Sequence, residues 1–204
     1  MEATLPHRDE DAVMTLYVHC FLSADLMLKN YKKLSARWDK DGRISKSRYI
    51  DFRIYVTTWL GYLAVTAEGF KKLGMRRLLE GSRPNEFEDV IEQANTVGRM
   101  LKEHDDALRK FRNNIFHLRD DSNEVMRFFY EKPGRLAWAE ELHSAFRKFF
   151  SGYRVSFFVH CLRNQRSDEA SHFVRSVGPI CGPVWGTDDR AERVWQSGLD
   201  TSKT

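Results

Sequence analysis

Apolar residues along this chain recur at three- and four-residue steps, and alternating strand patterns are hard to find, so the pattern predicts helices throughout. The first predicted helix runs from Glu10 to Trp38, with Val13, Leu16, Tyr17, Cys20, Ala24, Met27, Tyr31 and Leu34 on one stripe. "DKDGR" at 39–43 stops it with turn chemistry. A second helix, Ser47 to Leu79, aligns Trp59, Tyr62, Leu63, Thr66, Phe70 and Leu73, and Pro84 in "EGSRPNE" marks the break after it. Phe87–His104 and Asp105–Leu118 read as a third and a fourth helix, although a bend within Asn95–Gly98 would equally make them one longer element. "RDDSN" at 119–123 is a loop, "EVMRFFYEK" a short helix, "PGR" a break, and Leu136 to Leu162 a final long helix.

Short connections make sequential helices antiparallel neighbours. The fold class expected is all-α, an antiparallel helical bundle of about five or six helices over residues 10–165. Residues 166–204 differ: "VGPICGPVWGTDD" combines Gly, Pro and Trp, which predicts a partly ordered tail that lies on the bundle through Val184, Trp185 and Trp195.

At 204 residues and 42% hydrophobic the chain can bury a core and does not look disordered. With 33 Lys+Arg against 29 Asp+Glu the net charge is only +4, a mild hint of an anionic partner. Cys20, Cys161 and Cys181 are odd in number and form no C-x-x-C pair, which suits a reducing, cytoplasmic setting. The acidic start "MEATLPHRDEDAV" lacks the order of an export signal. "IYVTTWLGYLAVTA" at 54–67 is too short to span a bilayer, so no membrane role is expected.

His143, His160 and His172 have no clustered ligands at metal spacing, so neither a metal nor a cofactor is expected. Phosphate-binding, dinucleotide and serine-hydrolase glycine motifs are absent. Phe146, Phe149, Phe150, Phe157 and Phe158 read as core, and the basic clusters "KNYKK" and "KKLGMRR" as solvated faces.

The stretch "LRKFRNNIFHLRDD" at 108–121 carries chemistry. Each helical residue turns about 100° further round the axis. Leu108, Phe111, Ile115 and Leu118 then share an inward arc, Asn113 and His117 fall together on the opposite side, and Arg112 lies on the flank. Cleaving RNA needs a base for the 2′-hydroxyl, which His can supply near neutrality, and a cation for the attacked phosphate, which the Arg fork supplies without a metal. Asn113 would position the ring or the phosphate.

"RNNIFH" resembles the R-x4-6-H signature of the HEPN superfamily of helical ribonucleases and nucleotide-binding proteins, in the form with Asn after the Arg. "WLGYLAVTAEGFKKL" at 59–73 is similar to the partner helix, and "WAEELHSAFRKFF" at 138–150 to the final helix, of some bacterial members; the likeness covers roughly 10–165. The same spacing recurs at Arg99–His104, Arg154–His160 and Arg166–His172, and the Asn singles out Arg112–His117. The resemblance implies a homodimer in which two Arg-His helices form one RNA-cleaving cleft. It also implies work as a toxin or antiphage effector with a cognate antitoxin or defence partner, and its alternative is an inactive module that binds RNA or protein.

Glu68 shares a helix face with Gly61, Ala64 and Lys72, and the small residues there admit another helix. It is expected either to support Arg112 or His117 or to form an i to i+4 pair with Lys72.

Overall fold

The structure, a computed structural model, describes residues 5–117 and 123–170, within one compact unit that spans Met1–Ala170. Leu118, residues 119–122 of the predicted loop, His172, Cys181, Val184, Trp185 and Trp195 lie outside the described residues. The fold is an all-α bundle, with no strand among the described residues.

Helix α1 spans Ala12–Asp41. Asp11 caps it, its carboxylate accepting from the N–H groups of Val13 (2.9 Å) and Met14 (2.8 Å). Gly42, at φ 64°, ends it in the left-handed conformation that favours glycine. Within α1, Tyr17–Phe21 form a π-helical turn closed by the Leu22 N–H on the Tyr17 carbonyl. At and beyond this turn Phe21 and Leu28 enter the core where periodicity predicts Cys20 and Met27, while Ala24 and Tyr31 are buried as predicted.

Helix α2 (Lys46–Lys72) is shorter than expected, because Gly74 at φ 56° breaks the run and starts α3 (Met75–Ser82) as a separate helix. The predicted third and fourth helices are one element, α4 (Glu88–Phe116), bent at His104 (φ −136°, ψ 19°), the boundary expected between them, and not in Asn95–Gly98. The Met100 carbonyl, one turn before the bend, accepts the Trp138 indole N–H at 3.1 Å. Helix α5 (Asn123–Tyr130) turns back to set Phe128 against Phe111, and α6 (Arg135–Arg163) closes the bundle.

Contacts between the long helices fix an antiparallel ring. Tyr31 stacks on Trp59 and Trp38 meets Phe52, so α1 and α2 run oppositely. Lys71 pairs with Asp105 while Phe116 lies against Gly61, so α2 and α4 do as well. Trp138 reaches Met100 while Gly152 faces Gln93, and Lys32 pairs with Glu140 while Tyr17 meets Phe150, which orders α4, α6 and α1 in the same way.

The core is aromatic: Trp59, Phe146, Phe149, Phe150 and Phe157 are buried, and Phe158 is half-buried. Fully buried side chains of this size are worth about 1.5–3 kcal/mol each relative to exposure. At its N-terminal end the core holds a charged knot. Asp11, wholly buried, pairs with Arg83 at 2.7 Å and accepts the Tyr153 hydroxyl at 2.7 Å, while Arg83 Nε donates to that hydroxyl at 2.9 Å. Burial, and after it the Asp11 charge, pushes the Tyr153 phenol far above its ordinary range.

Among the described residues α1 is long and apolar enough to cross a membrane by length and composition, with a mean hydropathy of 1.3 over an 18-residue window. A third of that window (33%) is buried inside the fold.

Candidate functional site

The seam between α2 and α4 holds the residues of interest in three contacts. At one end the Phe116 ring covers Gly61, where an added Cβ would lie 2.8 Å from its Cζ, and meets the Tyr62 ring at 5.7 Å. In the middle Arg112 Nη2 donates to both carboxylate oxygens of Glu68. At the other end Lys71 pairs with Asp105. Gly61 and Ala64 are buried, so the small residues on the Glu68 face of α2 do admit a helix, and that helix is α4.

Leu108 and Phe111 anchor α4 in the core, and Ile115 is only half-buried. Arg112 therefore lies on the flank, as its angle from Leu108 and Phe111 on the helix requires, with its side chain 20% exposed against 32% for Glu68. Its Nε is buried without a hydrogen-bond partner among the described residues. The pair fixes the guanidinium in place, and it also sets the Glu68 carboxylate in competition with any phosphate that approaches the same fork.

His117 departs from expectation. It is the C-cap, with an extended backbone (φ −129°, ψ 135°), and α4 ends at Phe116. Its N–H closes the last turn on the Asn113 carbonyl at 3.1 Å, while its ring, on an exposed residue, makes no hydrogen bond among the described residues. The 3.6-residue period aims only side chains inside the helix, so Asn113 and His117 do not share a helical face. Asn113 is half-buried, and the neighbouring Asn114 amide is turned back onto the Lys110 carbonyl at 3.0 Å. The structure thus brings Arg112 and Glu68 together and sets His117 just past them.

One of the other R-x4-6-H spacings has both of its groups engaged in the fold. Arg154 donates to the Tyr17 hydroxyl at 3.0 Å and lies over its ring, and His160 lies 3.8 Å from Glu86. Arg99 and His104, by contrast, both line the large groove beside the α4 bend, where His104 meets the edge of Trp138 at 5.1 Å between centroids. Burial, with Lys132 and Arg135 behind it, lowers the His104 pKa, and Glu103 opposes this.

His143, on α6, is wholly buried and its tautomer is fixed: Nδ1 accepts the Trp59 indole N–H at 3.2 Å, which leaves Nε2 to donate to Asp25 at 3.1 Å. Burial holds its pKa below the ordinary range. Burial would raise the Asp25 pKa, but hydrogen bonds from His143, Lys29 and Arg147 together drive it far below the usual carboxylate range. This network joins α1, α2 and α6 and has no reacting partner in it. No group of three His, Cys, Asp or Glu among the described residues is placed to hold a metal ion.

The groove and the Phe116 anchor are what sequence reasoning missed. Their signals are present in "KKLGMRR" and in the Phe that precedes His117, but both depend on contacts between helices. A scan against models of known protein families gives no match, and comparisons with curated proteins and with solved structures give none either.

Proposed function

We propose that this chain is a metal-independent endoribonuclease of the HEPN kind. The observation that carries the reading is a cation, Arg112, braced by Glu68, with the exposed His117 five residues on at the open end of the same helix. In the proposed reaction His117 takes the proton of a 2′-hydroxyl and that oxygen attacks the adjacent phosphorus. Arg112 stabilises the charge gathering on the phosphate, and Asn113 positions it. The 5′-oxygen leaves with a proton, and the products are a 2′,3′-cyclic phosphate and a 5′-hydroxyl. One histidine cannot serve as base and as acid at the same instant, so a second copy is assigned to supply the other, as a homodimer with both α4 ends at the twofold axis. The setting proposed is the cytoplasm, as a toxin or antiphage effector held in check by an antitoxin or defence partner.

One observation favours the alternative, an inactive module that binds RNA or protein: Glu68 already neutralises Arg112. The two readings part in one assay. Short RNA incubated with the purified chain in EDTA should yield 2′,3′-cyclic ends, and His117→Ala and Arg112→Ala should each lower the rate by about 10²- to 10⁴-fold. Absence of cleavage by the wild type, or full activity in His117→Ala, overturns the ribonuclease reading.

A further inference from the structure

We propose that the groove around the His104 bend is a trough for the sugar-phosphate backbone of a single nucleic-acid strand. Its volume, about 1420 Å³, exceeds the roughly 300–1,000 Å³ of a small-molecule pocket. It lies between α3, the bend of α4 and the start of α6.

Charge singles it out. Nine Lys and Arg line the groove against four Asp and Glu, an excess of five, whereas the whole chain carries only +4. The rest of the sequence is therefore slightly acidic, and the positive surplus of the chain is gathered in this one concavity. Three of the four acids are already engaged, Asp105 by Lys71, Glu131 by Arg135 and Asp106 by Arg109. Arg77, Lys102, Lys110 and Lys132 are exposed and have no acidic partner among the described residues.

These four cations come from different walls: Arg77 from α3, Lys102 and Lys110 from α4 on either side of the bend, and Lys132 from the turn before α6. A phosphate chain in a trough is met from both sides, which suits a single strand; the phosphates of a duplex lie on a convex surface and would meet one wall. The local field registers on His104, whose ring Lys132 and Arg135 help to keep neutral. Gly74 is what makes the trough. By breaking the helix at φ 56° it turns Arg76 and Arg77 of "KKLGMRR" onto a wall that a continuous helix would not form. The phenylalanines that line the groove, Phe70 and Phe128, are buried and offer no stacking face, so binding is to the backbone and independent of base sequence.

The inference stands apart from the ribonuclease reading, because a strand without 2′-hydroxyls tests it alone. Fluorescence anisotropy with a labelled single-stranded oligodeoxynucleotide of about 20 residues, across a salt series, should show binding that weakens with salt at a slope of about −0.7 per phosphate contact. Lys102→Glu with Lys110→Glu should weaken binding by about tenfold or more and flatten that slope by about 1.4, with the circular dichroism spectrum unchanged. Lys33→Glu with Arg37→Glu, the same charge change on exposed residues of α1, should bind within about twofold of the wild type. The inference is overturned if the wild type does not bind, if the groove variant binds like the wild type, if the α1 variant loses as much, or if a duplex binds as tightly. Binding retained in His117→Ala, with or without RNA cleavage by the wild type, keeps the two readings distinct.

Discussion

Glu68 and Arg112 stand 44 residues apart in sequence and meet across the α2–α4 seam, where the carboxylate holds the guanidinium by one nitrogen through both of its oxygens. A brace of this kind predicts an effect on activity larger than its effect on stability. Both side chains are partly exposed, so the pair should contribute no more than about 1 kcal/mol to folding. Glu68→Gln should leave urea unfolding nearly unchanged while RNA cleavage falls by about tenfold, a barrier change of about 1.4 kcal/mol. Arg112→Lys should not restore activity, because an ammonium lacks the fork. A large stability loss with cleavage intact would make the pair purely structural.

Gly61 has no room for a side chain under Phe116. Gly61→Ala should push that ring outward, at a cost near the lower end of the usual 1–3 kcal/mol for overpacking, because Phe116 is 43% exposed and can yield. Phe116 precedes His117, so the displacement should lower cleavage more than it lowers the melting temperature. Equal losses in both would show that the ring position does not matter to the site.

The buried Asp11–Arg83 pair should be costly to split. Arg83→Ala leaves a carboxylate with no counter-ion in the core and should destabilise by about 3–5 kcal/mol in chemical denaturation. Tyr153→Phe removes one of the remaining donors and should cost about 1–3 kcal/mol. A milder result for Arg83→Ala would mean that water reaches Asp11.

Acid should destabilise the fold from near pH 6.5 downward. His143 is kept neutral by burial in the folded chain, and on unfolding it takes up a proton below about pH 6.5, so the unfolded state binds more protons and stability falls with pH. Asp25, held low by His143, Lys29 and Arg147, acts in the same direction only at much lower pH. His104 adds a smaller effect of the same sign, with Lys132, Arg135 and Glu103 facing it. Urea unfolding at pH 7.5 and 5.5 should show a drop for the wild type and a smaller one for His143→Gln, whose amide can serve both Trp59 and Asp25. Equal drops would place the proton uptake elsewhere.

The hydrophobic period alone identifies the long helices, because Trp59, Leu63, Thr66 and Phe70 keep the spacing that burial demands. It does not locate every break: the boundary read between His104 and Asp105 falls at the bend, while the break at Gly74 is missed. Gly74 interrupts an apolar pattern that continues on either side of it, and the break there rests on the left-handed freedom of glycine; at the bend the Trp138 indole takes the Met100 carbonyl. Arg112 on the flank of α4 and the small face around Glu68 were legible in the same way, since both follow from position within a helix. The direction of His117 was not, because it lies one residue beyond the last helical one. The groove was not either, because its cations converge only when three separate elements are assembled.

The π turn at Tyr17–Phe21 means that chain length and core facing are uncoupled at one place in α1. Leu16 and Phe21 are both buried although five residues separate them, a step that an ordinary helix would spread by about 140°. Loss of one exposed residue there, such as His19, would restore regular winding and still leave both halves of α1 facing inward. The same loss in the middle of Leu22–Asp41 would rotate everything beyond it by about 100° and turn Tyr31 away from Trp59. Single-residue length variation in this helix is therefore tolerated at the wide turn and excluded from the rest of its length.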